Sequence, residues 1–161
     1  MWFFGEHAIT LDGKGRLALP TRFRGVIAEV CDNQLVLTYN PYESHSLFLY
    51  PRFKWEEVRD QVMGLGTAHP DHRWMQRLLV GSATPVEPDK QGRFQLPQQL
   101  REVAELDRRV VLMGMGERFE IWNEQVLNQS RKEQMTRQAE RMQQEEALAA
   151  SPSEQLQQLS L

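Results

Sequence analysis

Thirteen residues near the start of the chain recur 77 positions later, once as residues 12–24 and again as residues 89–101. Six positions are identical, and both copies read D-x-x-G-R-x-x-L-P-x-x-x-R. The D-x-x-G-R segment is typical of a tight turn that leads into a strand, and the following proline suits the first turn of a helix. Because this pattern occurs twice in 161 residues, the chain is predicted to be a two-copy repeat.

The similarity between the copies continues beyond the shared motif. Two short runs of β-branched and aromatic residues follow the first helix, at 34–39 and 46–51, and two follow the second, at 110–113 and 118–122. Each copy is therefore predicted to contain a strand, a turn, a strand, a short helix and two further strands. The spacing between equivalent positions falls to 72 by the last strand, which we attribute to a longer loop in the first copy.

A single copy of about 45 residues buries too little apolar surface to be stable alone. Two copies packed about a pseudo-two-fold axis, as two subunits pack in a homodimer, remove this difficulty. The predicted fold class is therefore mainly β with helices (α+β), with the two copies forming an intramolecular pseudo-dimer. A first unit, a helical connector, a second unit and a C-terminal helix with a mobile tail are predicted at residues 6–53, 54–81, 82–125 and 126–161.

Apolar residues at helical spacing identify the helix faces that are predicted to enter the core. In the two motif helices these residues are Phe23, Val26, Ile27, Val30, Leu100, Val103 and Ala104. The connector carries two further apolar stripes, predicted to cover the sheet, which comprise Trp55, Val58, Val62, Leu65, Trp74, Met75, Leu78 and Leu79. After residue 124 glycine is absent, which favours a long exposed helix that frays around residues 151–153.

Net charge is −3 over the whole chain, but its distribution is uneven. Residues 1–28 carry a net +2 and residues 72–101 a net +3, whereas residues 124–161 carry −2. Positive charge therefore gathers around the two motifs, as a polyanionic partner requires. No apolar stretch is long enough to span a bilayer, and the single cysteine, Cys31, excludes an internal disulfide and a cysteine-based zinc site. We expect a cytoplasmic protein without a membrane partner.

The residue types in each turn predict a defined geometry. The carboxylates of Asp12 and Asp89 can accept hydrogen bonds from backbone N–H groups of the turn, and Gly15 and Gly92 permit a positive φ. The arginine after each glycine then begins the next strand. An ion pair between the aspartate and this arginine can also bridge the turn, and for one isolated copy this structural explanation is as good as a functional one.

Three features favour DNA binding over the purely structural explanation. The guanidinium groups of Arg16 and Arg93 offer planar forks that grip phosphate or the O6 and N7 atoms of guanine. Lys14, Arg22 and Arg24 add positive charge suited to backbone phosphates. A pseudo-two-fold axis would place both arginine turns on one face, where a ribbon from each half could enter a groove together. The predicted partner is therefore double-stranded DNA.

The repeated motif and its flanking residues resemble those of a known protein family. It is similar to the MraZ family of bacterial transcriptional regulators, which are built from two AbrB-like (SpoVT-AbrB) units. The resemblance covers roughly residues 1–150. It is carried by the D-x-x-x-R of each turn with its following Leu-Pro, by Phe-Gly-Glu-His at 4–7 and by Arg-Leu-Leu-Val-Gly-Ser-Ala at 77–83.

The resemblance implies a barrel of swapped hairpins formed by the two halves, and subunits that associate into a closed homo-oligomeric ring. It also implies a nucleoid-associated repressor of its own operon, in the division and cell-wall gene cluster, that binds short direct repeats in the promoter. The family's DNA-contacting arginine corresponds to Arg16, and extending this role to Arg93 depends on the pseudo-symmetry. The second turn has Gln91 and Gln95, so weaker electrostatic attraction is expected there.

Two other classes of protein are compatible with parts of the sequence. His69 and His72 suggest a metal site, but Pro70 breaks the helix that would place both imidazoles on one face. We therefore expect neither an enzyme nor a metal or other cofactor. The second alternative is an AbrB-like antitoxin or protein-interaction module that uses the segment after Glu124. Loss of DNA binding without loss of assembly after deletion of residues 150–161 would indicate a larger role for this tail than that of an exposed helix.

Overall fold

A computed structural model gives the fold and describes residues 2–148 together with 156, 158 and 159. The strands are β1 (Phe3–Thr10), β2 (Arg16–Ala18), β3 (Leu35–Tyr39), β4 (Ser46–Pro51), β5 (Thr84–Val86), β6 (Arg93–Gln95), β7 (Arg109–Gly116) and β8 (Phe119–Asn123). The helices are α1 (Thr21–Cys31), α2 (Arg52–Met63), α3 (Pro70–Gln76), α4 (Gln98–Val103) and α5 (Glu124–Ala147), and a π-helical turn, Arg77–Gly81, follows α3. Each copy contains strand, strand, helix, strand and strand, so the predicted order is confirmed.

Strand pairing reveals the pseudo-two-fold relation directly. Six strands form one antiparallel sheet in the order β1-β7-β8-β4-β3-β5, and β2 pairs with β6 in a second, two-stranded sheet. The equivalent strands of the two copies are β1 and β5, β2 and β6, β3 and β7, and β4 and β8. Exchanging every strand for its equivalent reverses each sheet order and leaves it otherwise unchanged. The predicted intramolecular pseudo-dimer is therefore confirmed.

The two copies interlock because their first strands are exchanged. β1 pairs with β7 of the other copy along eight residues, from Phe3 opposite Gly116 to Thr10 opposite Arg109. In the reciprocal exchange, β5 pairs with β3 of the first copy. Both sheets pack on one common core, as a barrel of swapped hairpins would, although the described hydrogen bonds do not join the sheets into a continuous ring.

The core draws its largest side chains from both copies. Phe3 stacks on Phe119 with ring centroids 4.2 Å apart, and Phe23 of α1 meets Phe119 edge-on at 5.0 Å. Leu17 and Phe94 close the core from the two-stranded sheet. Because fully burying one such side chain is worth about 1.5–3 kcal/mol, the interlock is driven mainly by apolar burial shared between the copies.

A second, smaller apolar cluster lies under the connector. The residues of β3 and β4 alternate between the two clusters, so Leu35 and Leu37 enter the main core while Val36 packs in the smaller one. The smaller cluster consists of Val36, Phe48, Tyr50, Trp55, Val62 and Leu79. The expectation that the connector helices cover the sheet is confirmed for Trp55, Val62 and Leu79.

Three residues predicted to be buried are exposed instead. Trp74, Leu65 and Val103 are each about half exposed or more, at 61%, 48% and 59%. Trp74 lies in α3, which has no buried side chain, and the buried position of this segment is Leu79 in the π-helical turn that follows. α4 ends at Val103, and the chain then turns so that Ala104 and Leu106 fill the core positions.

The prolines of the motif lie just before their helices rather than within the first turn. Pro20 and Pro97 are the N-cap residues of α1 and α4, with φ −55° and ψ near 140° in both cases. Pro51 has the same conformation before α2. The fixed φ of proline suits this position, and its missing N–H removes no helical hydrogen bond.

The change in spacing between the copies arises in two places. Ile9 pairs with Val110 and its equivalent Val86 pairs with Leu35, so the third strands are related by 110 − 35 = 75 positions. The copies therefore lose two residues of spacing between the motif and the third strand, where α1 has 11 residues and α4 has six. The longer hairpin loop of the first copy accounts only for the remaining shortening to 72, so the attribution to that loop alone was wrong.

The chain forms two compact units, Met1–Glu124 and Gln125–Leu161. Both motif copies and the connector lie in the first unit. The second unit contains α5 beyond its first residue, and the side chains of residues 132–144 are exposed, as predicted for this helix. The fraying expected around residues 151–153 lies outside the described residues. None of the described helices is both long enough and apolar enough to cross a membrane.

The first half alone, residues 1–80, is expected to be unfolded or to form a swapped dimer. In that fragment β1 and β3 lack β7 and β5, so their backbone hydrogen bonds and the apolar face of Phe3 have no partner. Sedimentation equilibrium with circular dichroism measures this, and residues 1–124, which retain all eight strands, serve as the control. A stable monomeric first half would contradict the interlocked fold.

Candidate nucleic-acid interface

The two arginine turns meet in the two-stranded sheet, which we call the motif ribbon (β2 and β6). Leu17 lies opposite Phe94, and both side chains are buried in the core. Side chains alternate between the two faces of a strand, so the flanking residues of both strands point outward. The outer face of the motif ribbon consists of Arg16, Ala18, Arg93 and Gln95. The structure therefore brings Arg16 and Arg93 together on one exposed face.

The register places the two arginines close together. Arg16 lies opposite Gln95, and Arg93 lies opposite Ala18. The arginines are thus diagonal neighbours on one face, a relation that puts the two residues about 7–8 Å apart and their Cβ atoms somewhat closer. Because the strands are antiparallel, the turns that precede them lie at opposite ends of the motif ribbon.

Asp12 organises the first turn with both of its carboxylate oxygens. Oδ1 accepts hydrogen bonds from the backbone N–H groups of Lys14 and Arg16, each at 2.9 Å. Oδ2 accepts from Nε of Arg16 at 2.7 Å. This arrangement fixes the guanidinium through Nε, and no hydrogen bond to its Nη atoms is found within the described part of the chain. The fork of Arg16 is therefore oriented but available.

Asp89 organises the second turn in the same way but holds its arginine less tightly. Its Oδ1 accepts from the N–H groups of Gln91 at 2.9 Å and Arg93 at 3.0 Å. Nε of Arg93 lies 3.4 Å from Oδ2 of Asp89, which is an ion pair without hydrogen-bond geometry. The second turn repeats the backbone of the first and differs in the side-chain contact.

Both aspartates are held in the ionised form by these contacts. The N–H of Arg16 is the largest cause that lowers the pKa of Asp12 from 3.8 to about 2, and partial desolvation opposes it. The N–H of Arg93 likewise lowers the pKa of Asp89. A lowered folded-state pKa stabilises the turn above about pH 4, and this contribution is lost as the pH falls through about 2. At neutral pH both ion pairs are fully formed.

Gly15 and Gly92 adopt the left-handed conformation that the turns require, with φ of +76° and +75°. The N–H of each glycine donates to the carbonyl of the turn aspartate, at 3.0 Å for Gly15 and 2.9 Å for Gly92. A Cβ atom on Gly15 would lie 2.5 Å from Cζ of Arg101. Glycine is therefore needed for its backbone conformation, and the guanidinium of Arg101 occupies the space that a Cβ would take.

The remaining basic residues predicted to bind DNA have different surroundings. Lys14 is exposed in the first turn, and its carbonyl accepts a hydrogen bond from Nε2 of Gln95 at 2.8 Å. Nη2 of Arg22 donates to the carbonyl of Phe4 in β1 at 3.0 Å. Cζ of the same guanidinium lies over the aromatic ring of Phe4, 5.0 Å from its centroid. Arg24 is half-buried and donates from Nε to the carbonyl of Leu19 at 2.9 Å. Only Lys14 belongs to a turn of the motif ribbon.

Gln95 is a further candidate for DNA contact. From the sequence it was expected only to weaken the electrostatic attraction of the second turn. It lies beside Arg16 on the outer face, and its amide bridges to the first turn. Side chains of a strand alternate between its two faces, so the position of Gln95 two residues after Arg93 could have predicted that both lie on the outer face.

The histidine motif of the connector has a structural explanation. His69 is the N-cap residue of α3, and its Nδ1 accepts the backbone N–H of Asp71 at 3.1 Å. Within the described residues there is no group of three or more histidine, cysteine, aspartate or glutamate side chains that could hold a metal ion.

Fold and site together define a class of protein in which two fused copies interlock and display two aspartate-braced arginines on one ribbon. A family model described as "MraZ protein, putative antitoxin-like" matches the chain twice, at residues 2–78 and 79–146. The chain belongs to the MraZ family. The boundary at 78/79 assigns most of the connector to the first repeat, and the finer division predicted at 53/54 and 81/82 stays a prediction.

Similar proteins from several bacteria carry one name. The chain is 46% identical over 123 residues to "Transcriptional regulator MraZ" of Xanthomonas campestris pv. campestris (strain 8004), covering 76% of this chain and 83% of that protein. The protein of that name from Xylella fastidiosa (strain Temecula1 / ATCC 700964) has the same identity and coverage. The one from Marinobacter nauticus (strain ATCC 700491 / DSM 11845 / VT8) is 41% identical over 126 residues, 78% of this chain and 84% of that protein.

Substitution of Gly15 by alanine is expected to lower the free energy of unfolding by at least about 1–2 kcal/mol, the usual cost of a left-handed conformation for a residue with a Cβ. Gly13→Ala is the matched control in the same turn, because a Cβ there meets nothing within 4 Å and its φ is not positive. Urea unfolding of both variants at one protein concentration measures the difference. Equal effects of the two substitutions would refute this account of the turn.

Proposed function

We propose that this protein is a DNA-binding transcriptional regulator that contacts duplex DNA with the outer face of the motif ribbon. The observation that supports this proposal most strongly is the shared face of Arg16 and Arg93. The relatives that carry the name transcriptional regulator support the same function. The proposal includes no catalytic step and no cofactor.

The shape and charge of the motif ribbon suit a DNA groove. A two-stranded β-ribbon fits the major groove of B-DNA, where arginine forks contact O6 and N7 of guanine. In this proposal the Nη atoms of Arg16 contact a base edge or a phosphate, while Asp12 keeps the fork from rotating. An oriented fork loses less conformational freedom on binding, which raises affinity. Arg93 acts in the same way with a looser fork, and Lys14 contacts phosphate.

Arg22 is proposed as a more distant phosphate contact. Its guanidinium already lies on β1, so its contribution to binding is electrostatic rather than directional. Although the chain has a net charge of −3, the local surplus of cations around the two motifs supplies the attraction that a polyanion needs.

We further propose that several subunits form a closed ring that binds short direct repeats in the promoter of the protein's own operon. This operon would lie in the division and cell-wall gene cluster, and binding would repress it at the nucleoid. Many weak and equally spaced contacts gain affinity through effective concentration, so a ring suits a repeated site. DNase footprinting on the DNA upstream of the gene tests this, with protection expected at short regular intervals. Uniform or absent protection would contradict the proposal.

Arg16→Ala is expected to weaken binding to this DNA by about 1–3 kcal/mol per contact while assembly is unchanged, because a bidentate arginine contact is worth that amount. Arg59→Ala is the matched control, since Arg59 is an exposed arginine of α2 that pairs only with its neighbour Asp60 in the described contacts. Fluorescence anisotropy measures affinity, and light scattering after size-exclusion chromatography measures assembly. Collapse of the oligomer in the Arg16 variant would favour the structural explanation.

Binding is also expected to weaken steeply with added salt. Each phosphate that is neutralised releases counterions, so log K should fall against log salt concentration with a slope of about −0.9 per phosphate contact. Titrations between about 50 and 200 mM salt measure the slope. A flat dependence would mean that phosphates are not contacted by the motif ribbon and its surrounding cations.

A further inference from the structure

The last arginine of each motif copy has a partner inside the protein. Arg24 on α1 and Arg101 on α4 occupy equivalent positions in the repeat. Nε of Arg24 donates to the carbonyl of Leu19 at 2.9 Å, and Nε of Arg101 donates to the carbonyl of Leu96 at 2.9 Å. The two contacts are the same in both copies, although the copies share only six of the 13 motif residues.

Each of these arginines also reaches the turn of the other copy. The guanidinium of Arg24 covers Gly92, where a Cβ atom would overlap Nε, and Arg101 covers Gly15, where a Cβ would overlap Cζ. Backbone hydrogen bonds reinforce the crossing, because the N–H of Leu19 donates to the carbonyl of Gly92 at 2.8 Å and that of Leu96 to Gly15 at 3.1 Å. The first copy therefore holds the second turn, and the second copy holds the first.

We propose that Arg24 and Arg101 are reciprocal positioning residues, each of which fixes the turn that presents the other copy's DNA-facing arginine. Arg101 acts on Gly15 and so on Arg16, which is 85 positions away in the sequence. Arg24 acts on Gly92 and so on Arg93. The planar guanidinium lies in the space that the glycine leaves free and donates to the adjacent carbonyl, which lysine and glutamine cannot do together.

This inference concerns how the turns are held, and only its effect on binding rests on the proposed function. It differs from a direct phosphate contact in a measurable way. A phosphate contact depends on the charge of the arginine, whereas the positioning of a turn depends on the planar group. Arg24→Lys keeps the charge and removes the planar group, so it separates the two explanations.

Hydrogen–deuterium exchange with mass spectrometry on the full chain tests the positioning directly. Arg24→Lys and Arg24→Gln are expected to speed exchange about fivefold in residues 89–93, because the guanidinium no longer covers Gly92, and to leave residues 12–16 unchanged. Arg101→Lys and Arg101→Gln are expected to give the opposite pattern. Arg22→Gln is the control, because its contacts are with Phe4, Gly5 and Phe23 and with neither turn. Exchange that rises in the variant's own copy, in both turns equally or in neither turn would overturn the proposal.

DNA titration of the same variants provides the second readout. The positioning proposal expects lower affinity with an unchanged salt slope, in both the lysine and the glutamine variants. A slope that falls by about 0.9 per contact in the glutamine variants, with affinity retained in the lysine variants, would identify direct phosphate contacts and overturn it. If the wild-type protein does not bind the promoter, the proposed function fails, whereas the crossed exchange pattern still decides whether these arginines hold the turns.

Discussion

The pairing of β2 with β6 is the interaction on which the rest of this structure depends. Each strand has only three residues and comes from a different copy, so neither copy can form the motif ribbon alone. Leu17 and Phe94 anchor its inner face in a core that both copies supply, and the outer face gains its two arginines as a result. The site and the fold therefore share one cause, which is the burial of apolar residues from both copies in a common core.

The turns at the ends of this ribbon are stiff for a reason that is local and electrostatic. One carboxylate satisfies two backbone N–H groups and orients an arginine, and a glycine with positive φ allows the chain to enter the strand at once. Such an arrangement keeps a cation on the surface without allowing it to rotate freely. Affinity for a polyanion then depends less on the number of positive charges than on where they are held, which reconciles the site with an acidic chain.

Much of this arrangement could be predicted from the sequence. The duplication, the order of strands and helices, the conformation of the two turns and the common face of Arg16 and Arg93 all follow from residue types and spacing within each copy of about 45 residues, combined with pseudo-symmetry. The family and the fold class were predicted from the same residues. The DNA-contacting roles and the finer unit boundaries stay predictions, and the matched repeats divide the chain once, between residues 78 and 79.

What escaped prediction depends on contacts between distant parts of the chain or on where short helices begin and end. Trp74 has the spacing of a buried residue but lies in a seven-residue helix with no buried side chain, and α4 ends at Val103, which is exposed. Arg24 lies in a locally basic stretch of sequence, which suggests a phosphate contact. Only the structure places it over Gly92, 68 positions away in the sequence. Periodicity within a helix contains no information about which turn of the other copy that helix will touch.

The unequal aspartate–arginine contacts, 2.7 Å in the first turn and 3.4 Å in the second, have a consequence for evolution. In an assembly of two identical chains every mutation appears on both sides, so recognition is confined to targets with inverted symmetry. Joining the halves in one polypeptide releases that restriction, since either side can drift while the other is preserved. If the protein binds DNA as proposed, its two unlike sides distinguish the two directions along the duplex, and sites arranged head to tail suit it as a palindrome suits a dimer.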